Sequence, residues 1–299
     1  MSINNQVYKD LLKNKLIKKS KIDVISNKTR NAHIKVLKDK VSKIIFLEKI
    51  ITSKNYYREK YKSNLKKGRF FSETKFLNGK RIINKRVNDD NRRLKEFVKY
   101  IRNKDICDFG CGFGGFLLKS RKIAKSITGI EIGNNCREFL SKNRIKNYRY
   151  INESSKKFDL ITLFHTLHYI PNQIEILEEL KRRINKKGRI IIEVPHAKDF
   201  LLQDEALPGF KDFTFCKESL IWHTEKSLKK FLKVTGFKKI RIIYYQRYGI
   251  DNHFGWYLYN KPGGHNFMNK KINDKLRNSY NQFIIDNKST DTLIAIAEV

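Results

Sequence analysis

The period of apolar residues changes near residue 104. Before that point the elements are mixed. Leu11, Leu12, Leu16 and Ile17 recur at helical spacing in a Lys/Asn-rich stretch, which predicts either a short amphipathic helix or a frayed terminus over residues 1–20. Residues 33–51 read as two short β segments about a polar turn at 38–40. Tyr56, Tyr57 and Tyr61 fall on a further helix. Leu94, Phe97, Val98 and Ile101 stand at i, i+3, i+4 and i+7, so residues 86–103 predict an amphipathic helix with a basic outer face.

From residue 104 strands and helices alternate. IRNKDICDFG reads as a strand ending in a glycine-rich turn, FLLKSRKI as a helix, SITGIEIG as a strand and NCREFLSKN as a helix. YRYIN is a third strand, and FDLITLFHTL a fourth, apolar almost throughout, as a central parallel strand is. QIEILEELKRRI is an amphipathic helix that Lys186, Lys187 and Gly188 close. RIIIEV follows as a fifth strand. Thr224 N-caps the next helix, which Gly236 ends. KKIRIIYYQRY and TLIAIAEV complete seven strands. The pattern predicts an α/β fold: a Rossmann-like, doubly wound, parallel seven-stranded sheet in 86–299, with a small basic α+β accessory region in 1–85.

Composition adds a question of partners. The net charge is +35, from 65 basic and 30 acidic residues. A polyanion partner is one explanation. The other is base composition. Lys, Asn and Ile, whose codons are AT-rich, are abundant, while Ala and Pro are scarce. A phosphate-binding surface would also favour Arg. We read the charge as mainly compositional. Residues 1–100 carry 29 basic and 9 acidic residues, so any polyanion contact is expected there. No apolar run is long enough to span a membrane, and MSINNQVYKDLLKNK lacks an apolar signal core, so a cytoplasmic location is expected. Cys107, Cys111, Cys136 and Cys216 contain no CxxC pair, and no metal site is expected.

The chemistry concentrates in Asp108-Phe109-Gly110-Cys111-Gly112-Phe113-Gly114-Gly115, between a strand and a helix. Glycine lets the backbone approach a ligand, and a helix N-terminus favours negative groups. Gly110, Gly112 and Gly115 satisfy G-x-G-x-x-G. Glu131 follows the next strand, where a carboxylate can accept both ribose hydroxyls. These features alone would also fit an NAD(P) site.

The later segments narrow the choice. ICDFGCGFGGFL, GIEIG, FDLITLFHTLHYIPN, KKGRIIIEVPH and SLKKFLKVTGF together resemble the class I S-adenosylmethionine-dependent methyltransferases from about residue 104 to 240. The resemblance implies S-adenosyl-L-methionine as cofactor. It implies that Gly110, Gly112 and Gly114 line the methionyl end, that Asp108 orients the loop and that Glu131 holds the ribose. It places Asn152 and Glu153 at the adenine, and Phe164 and His165 beside the sulfonium. A narrower resemblance, to sugar-type methyltransferases of glycan and nucleotide-sugar pathways, rests on residues 29–62, on QRYGIDNHFGWYLYNKPGGH and on TDTLIAIAEV. Some of those relatives hold the N-terminal segment with zinc-binding cysteines; none remain here.

Methyl transfer to a hydroxyl needs alignment, exclusion of water and removal of a proton. His196, His165 and His223, in that order, are the candidate bases, each with an alternative as a core or capping residue. Glu193 ends the fifth strand, where it could simply bridge backbone amides. Residues 249–292 form a long insert with Trp256, Tyr257 and Tyr259, read as a lid over the acceptor. The expected reaction is O-methylation of a small-molecule or glycan acceptor, with phosphate-bearing acceptors included. RNA is the less favoured partner, and a non-catalytic binding module the other alternative.

Overall fold

A computed structural model describes residues 3–52, 55–57, 74–77, 80–83, 89–203, 207–264, 268 and 272–299. Tyr61 and most of the basic stretch 56–71 lie outside the described residues. The chain opens with α1 (Gln6–Lys13), β1 (Ile22–Ser26), β2 (Val36–Asp39) and β3 (Ile45–Leu47), followed by a hairpin of β4 (Thr74–Leu77) and β5 (Lys80–Ile83). Asn5 caps α1 through its side chain, which accepts from the Tyr8 N–H at 2.9 Å. The turn predicted at 38–40 falls one to two residues later. Asp39 still pairs with Ile22, and its carboxylate then accepts from the N–H groups of Val41 and Ser42 at 3.1 and 2.7 Å.

Next come α2 (Asp89–Ile101), β6 (Asp105–Phe109), α3 (Gly115–Ser120), β7 (Ser126–Ile130), α4 (Asn134–Lys142), β8 (Lys146–Tyr148), β9 (Phe158–Phe164), α5 (Gln173–Arg182) and β10 (Ile184–Pro195). Two short helices, α6 (Phe200–Gln203) and α7 (Pro208–Thr214), precede β11 (Ile221–Trp222). The chain ends with α8 (Glu225–Val234), β12 (Lys238–Tyr245), α9 (Ile250–Tyr259), α10 (Asp274–Asp286) and β13 (Thr292–Glu298).

The main sheet has the order β12-β13-β10-β9-β6-β7-β8. It has the seven strands expected, but it is mixed. β13 runs antiparallel to both β10 and β12, because the long insert returns the chain to the sheet from the opposite end. The third strand is β8, centred before the predicted YRYIN; residues Ile151–Glu153 turn as a single 3-10 coil. Lys186, Lys187 and Gly188 do not cap a helix. They form an irregularity inside β10, with Lys187 at φ 64, after α5 has closed at Arg183. Thr224 is the N-cap of α8 as expected, and Ser227 completes a capping box with it.

Alternating side chains feed two cores. Ile190, Ile192 and Val194 join one cluster with Leu177 and Leu180 of α5 and Leu228 and Phe231 of α8. Ile191 joins the other with Phe97, Phe116 and Leu140 of α2, α3 and α4. The first cluster also contains Val7, Leu11, Val36 and Phe46. Residues 7–47 therefore pack on the main domain as a layer. Their sheet, β1-β2-β3-β11, takes its last strand from the main domain. Within the insert, Trp256 is buried against Phe210 and Phe213, with ring centroids at 5.1 and 5.3 Å. Gly255 lets the Pro262-Gly263-Gly264 turn approach: a Cβ there would meet the Gly264 Cα at 2.6 Å.

Candidate active site

The glycine turn leaves β6 at the carboxyl end of the sheet, where α/β folds bind ligands. Gly110, Gly112 and Gly114 all have left-handed φ, at 74°, 55° and 68°. Their surroundings differ. A Cβ on Gly110 would meet Thr166 at 2.4 Å, and one on Gly114 would meet Leu140 at 2.5 Å. A Cβ on Gly112 would meet nothing within 4 Å, so this residue faces the open space a ligand would fill. Glu131, almost fully buried, holds the turn from the next strand: its carboxylate accepts from the Gly112 N–H at 2.8 Å and the Gly133 N–H at 2.7 Å. Asp108 sits under the turn. It accepts a hydrogen bond from the Thr162 hydroxyl at 2.7 Å, and burial pushes its pKa up to about 7.

A second group of side chains gathers where β9 and β10 end. His165 follows β9 in the left-handed region, at φ 51. Its N–H donates to the Glu193 carbonyl at 2.9 Å, and its Nε2 lies 4.0 Å from a Glu193 carboxylate oxygen. The side chain keeps 23% of its surface exposed. Burial, and then the cations Arg247 and Arg93, hold its pKa well below the usual range, so the imidazole is neutral. Glu193 is fully buried and pairs with two arginines of α2. Arg92 Nη2 donates to it at 2.5 Å, and Arg93 through Nη2 and Nε at 2.6 and 2.8 Å. Burial raises its pKa, but Arg93 and Arg92 outweigh that and hold it below the carboxylate range. Arg93 also pairs with Asp90 at 3.3 Å and lies over the Phe164 ring at 4.3 Å. Arg247 pairs with Asp89. Asp291 accepts from the Arg247 and Tyr248 N–H groups at 3.0 and 2.9 Å.

This cluster corrects two expectations. The outer face of α2 exposes Lys95 and Lys99 beside Glu96, while Arg92 and Arg93 turn inward to Glu193, which the expected amphipathic pattern had not placed there. Glu193 in turn bonds guanidinium groups instead of bridging backbone amides. Arg92, Arg93, Arg247, Asp89, Asp90 and Asp291 had escaped the sequence reading. The signal was present: Arg93 stands four residues before Phe97 and eight before Ile101, in phase with the apolar stripe.

The other candidate residues lie elsewhere. His196 is buried in the core, its Nδ1 bonded to the Thr290 carbonyl at 2.9 Å, and burial pushes its pKa down to about 4. His223 is wholly buried, with Nδ1 on Ser227 Oγ at 3.0 Å and Nε2 on Gln173 Oε1 at 2.9 Å. Both ring nitrogens of His223 are thus used inside the protein. Asn152 and Glu153 are exposed on the turn after β8, and the Glu153 carboxylate accepts from the Arg149 N–H at 3.0 Å. Among the described residues no group of His, Cys, Asp or Glu could hold a metal ion, and all four cysteines are free.

Residues 83–242 match the family described as a methyltransferase domain, more than half of the chain. The chain belongs to that family. This methyltransferase is also similar to the tRNA U34 carboxymethyltransferase of Nautilia profundicola, at 30% identity over 162 residues, which cover 48% of this chain and 50% of that protein. The chain thus spans about half the length of that curated relative. Solved structures of similar fold include an S-adenosylmethionine-dependent methyltransferase from Archaeoglobus fulgidus (16% identity, TM-score 0.47, covering 70% of this chain and 92% of that one). Phosphoethanolamine N-methyltransferase 2 of Haemonchus contortus, in complex with S-adenosyl-L-methionine, is another (15% identity, TM-score 0.46, covering 71% and 52%).

S-adenosyl-L-methionine is the cofactor of the methyltransferase, and supplies the electrophilic methyl group when bound. The residues present fit it. Gly112 provides an open cradle at the turn, and the buried Glu131 carboxylate lies beside it. Among the described residues no helix is long and apolar enough to cross a membrane.

Proposed function

We propose that this methyltransferase methylates a hydroxyl group of a sugar or sugar-containing intermediate, with His165 as the base. The observation that carries this reading is His165 itself: neutral, partly exposed, and held in a left-handed conformation at the end of β9. A non-glycine residue kept at positive φ is strained, and such strain persists where the surroundings over-determine it. A hydroxyl acceptor must lose a proton as the methyl arrives, and a neutral imidazole can take it. Asp89, and Glu193 at 4.0 Å from Nε2, would offset part of the cost that burial, Arg247 and Arg93 place on the imidazolium. Gly110, Gly112 and Gly114 bind the methionyl end in this scheme, Asp108 supports the turn, Glu131 holds the ribose, and Phe164 packs near the sulfonium. Asn152 and Glu153 stay proposed adenine contacts, reached from the turn after β8. We propose residues 1–85 as an accessory region on the 86–299 domain. The insert 249–292 is the proposed lid, presenting the exposed rings of Tyr257 and Tyr259.

The relative that acts on tRNA favours a second reading, in which the hydroxyl or another nucleophile belongs to RNA. Methyl transfer from labelled S-adenosyl-L-methionine to a panel of nucleotide sugars, glycans and total tRNA separates the two. Label on a sugar acceptor is expected; label on tRNA and on no sugar acceptor would overturn the first reading. His165→Ala is expected to lower turnover by about 10²-fold while S-adenosylhomocysteine affinity stays within about threefold. Unchanged turnover would remove His165 as the base.

A further inference from the structure

Away from the transfer centre, α4 and β8 line an open surface concavity of about 530 Å³. Asn134, Arg137, Glu138, Ser141, Lys142 and Arg149 line it. The three cations outnumber the single carboxylate. Arg137 and Arg149 both point a terminal nitrogen at one neutral atom, Asn134 Oδ1, at 2.5 and 3.3 Å. Their Nε atoms are buried, and neither has a hydrogen-bond acceptor. Among the described residues neither guanidinium has a carboxylate at ion-pair distance, although the charge of Arg137 reaches the buried Glu131 carboxylate and opposes the rise that burial gives its pKa.

A guanidinium buried on one edge without an acceptor is costly, and two of them sharing one amide oxygen are under-satisfied. An anion with several acceptor oxygens would complete both. Phosphate has the right shape, since planar guanidinium groups bind it bidentately. The rim continues the same charge, with Lys142 at the end of α4, Arg144 in the following turn and Lys146 on the edge strand all exposed. Lysines on an edge strand have an ordinary role in blocking strand addition. That role explains Lys146; it does not explain two arginines turned into a concavity. AT-biased composition does not explain them either, because it enriches lysine at the expense of arginine.

We propose that this concavity is a phosphate-binding pocket, taking a phosphate group of a nucleotide or of an RNA backbone. The sheet order β9-β6-β7-β8 puts it three strand spacings, about 14 Å, from the end of β9. It therefore acts on binding of a phosphate-bearing molecule and leaves the chemical step alone.

The test compares Arg137→Gln/Arg149→Gln with a charge-matched control, Lys233→Gln/Lys238→Gln, on the full chain. Pyrophosphate binding is measured by calorimetry and total tRNA binding by filter retention. The pocket variant is expected to lose about tenfold or more in affinity for at least one of the two, and the control less than about twofold. Loss for pyrophosphate alone assigns the pocket to a nucleotide; loss for tRNA assigns it to the RNA backbone, with a shallower salt dependence than the wild type. Far-UV circular dichroism and Tm, measured on the same samples, should match the wild type in both variants, which separates this result from failure of folding. Equal losses in both variants, or no saturable binding of either probe to the wild type, would overturn the pocket.

Discussion

Asp108 and Glu193 lie on β6 and β10, the strands that flank β9 on either side, and both carboxylates are buried. Burial acts on them alike; their partners do not. Asp108 has the Thr162 hydroxyl as its close partner, and its pKa rises to about 7. Glu193 holds two guanidinium groups directly, and its pKa falls below the carboxylate range. The first carboxylate sits under a turn of glycines that offers a cofactor backbone groups and open space. The second locks α2 onto the sheet beside His165. The proposed cofactor end is thus built from backbone and a lightly satisfied acid, and the proposed transfer end from a dense network of paired charges.

The sharpest way to break this contrast is to remove one partner at the transfer end. Glu193→Ala leaves Arg92 and Arg93 partly buried without their carboxylate, and is expected to cost about 3–5 kcal/mol of stability. Urea denaturation would read this as a fall in midpoint at unchanged slope. The double variant with Arg93→Met should cost less than the sum of the two single changes. Strict additivity would show that the pair is not a unit, and the transfer end would then resemble the cofactor end.

The same contrast explains what the sequence disclosed. The glycine turn, Asp108 and Glu131 are contiguous with their strands, and each has a local signature: a strand, a positive-φ turn and an acid at the end of the next strand. The seven-strand alternation was legible for the same reason, since it depends on periodicity within each segment. The charge cluster was not, because its members come from α2, β9, β10 and the segment after β12. Arg93 on an apolar stripe and Glu193 in an apolar strand each called for an unseen partner of opposite charge. Their being each other's partner is a matter of three-dimensional packing, separated by 100 residues. The antiparallel β13 and the irregularity at Lys187 were hidden similarly, as they follow from how the chain returns to the sheet and not from local pattern. The buried states of His196 and His223 show the reverse error: a histidine near a strand end resembles a base in sequence, whether or not its nitrogens face a cleft.

At the cofactor end the effects should be smaller and divided by position. Gly114→Ala meets Leu140 at 2.5 Å and holds a left-handed φ, so it should cost about 1–3 kcal/mol of stability. Gly112→Ala has the same backbone strain but open space beside it, so it should cost only about 1–2 kcal/mol. Its added methyl enters the proposed cofactor cradle, and affinity for S-adenosylhomocysteine should fall about tenfold or more. Calorimetry checks this. Unchanged affinity in Gly112→Ala would place the cofactor elsewhere on the turn.

The effect at Asp108 is read as a slope against pH and tests whether the two carboxylates differ as described. Its folded pKa of about 7 lies above the unfolded value of about 3.9. Between those values the folded protein binds more protons than the unfolded chain, so the Asp108 contribution makes stability fall as pH rises from about 4 to about 7, and it levels off beyond. Burial sets this direction; Thr162 and Arg93 oppose it, and Asp90 and Glu131 reinforce it. Asp291 shifts upward in the same way, to about 6, so the wild type keeps a slope when Asp108 is replaced. The informative quantity is the difference between variant and wild type. Asp108→Asn is expected to gain relative to wild type as pH rises from 5 to 8, seen as a growing difference in Tm. Glu193→Gln should move oppositely at acid pH. Glu193 has a lowered pKa, and its stabilising contribution is present above the unfolded value and lost as pH falls through the folded one, so the variant's deficit should shrink on acidification. If both variants followed the wild type in parallel across this range, the difference in partners would carry no electrostatic consequence, and the comparison of the two ends would reduce to shape.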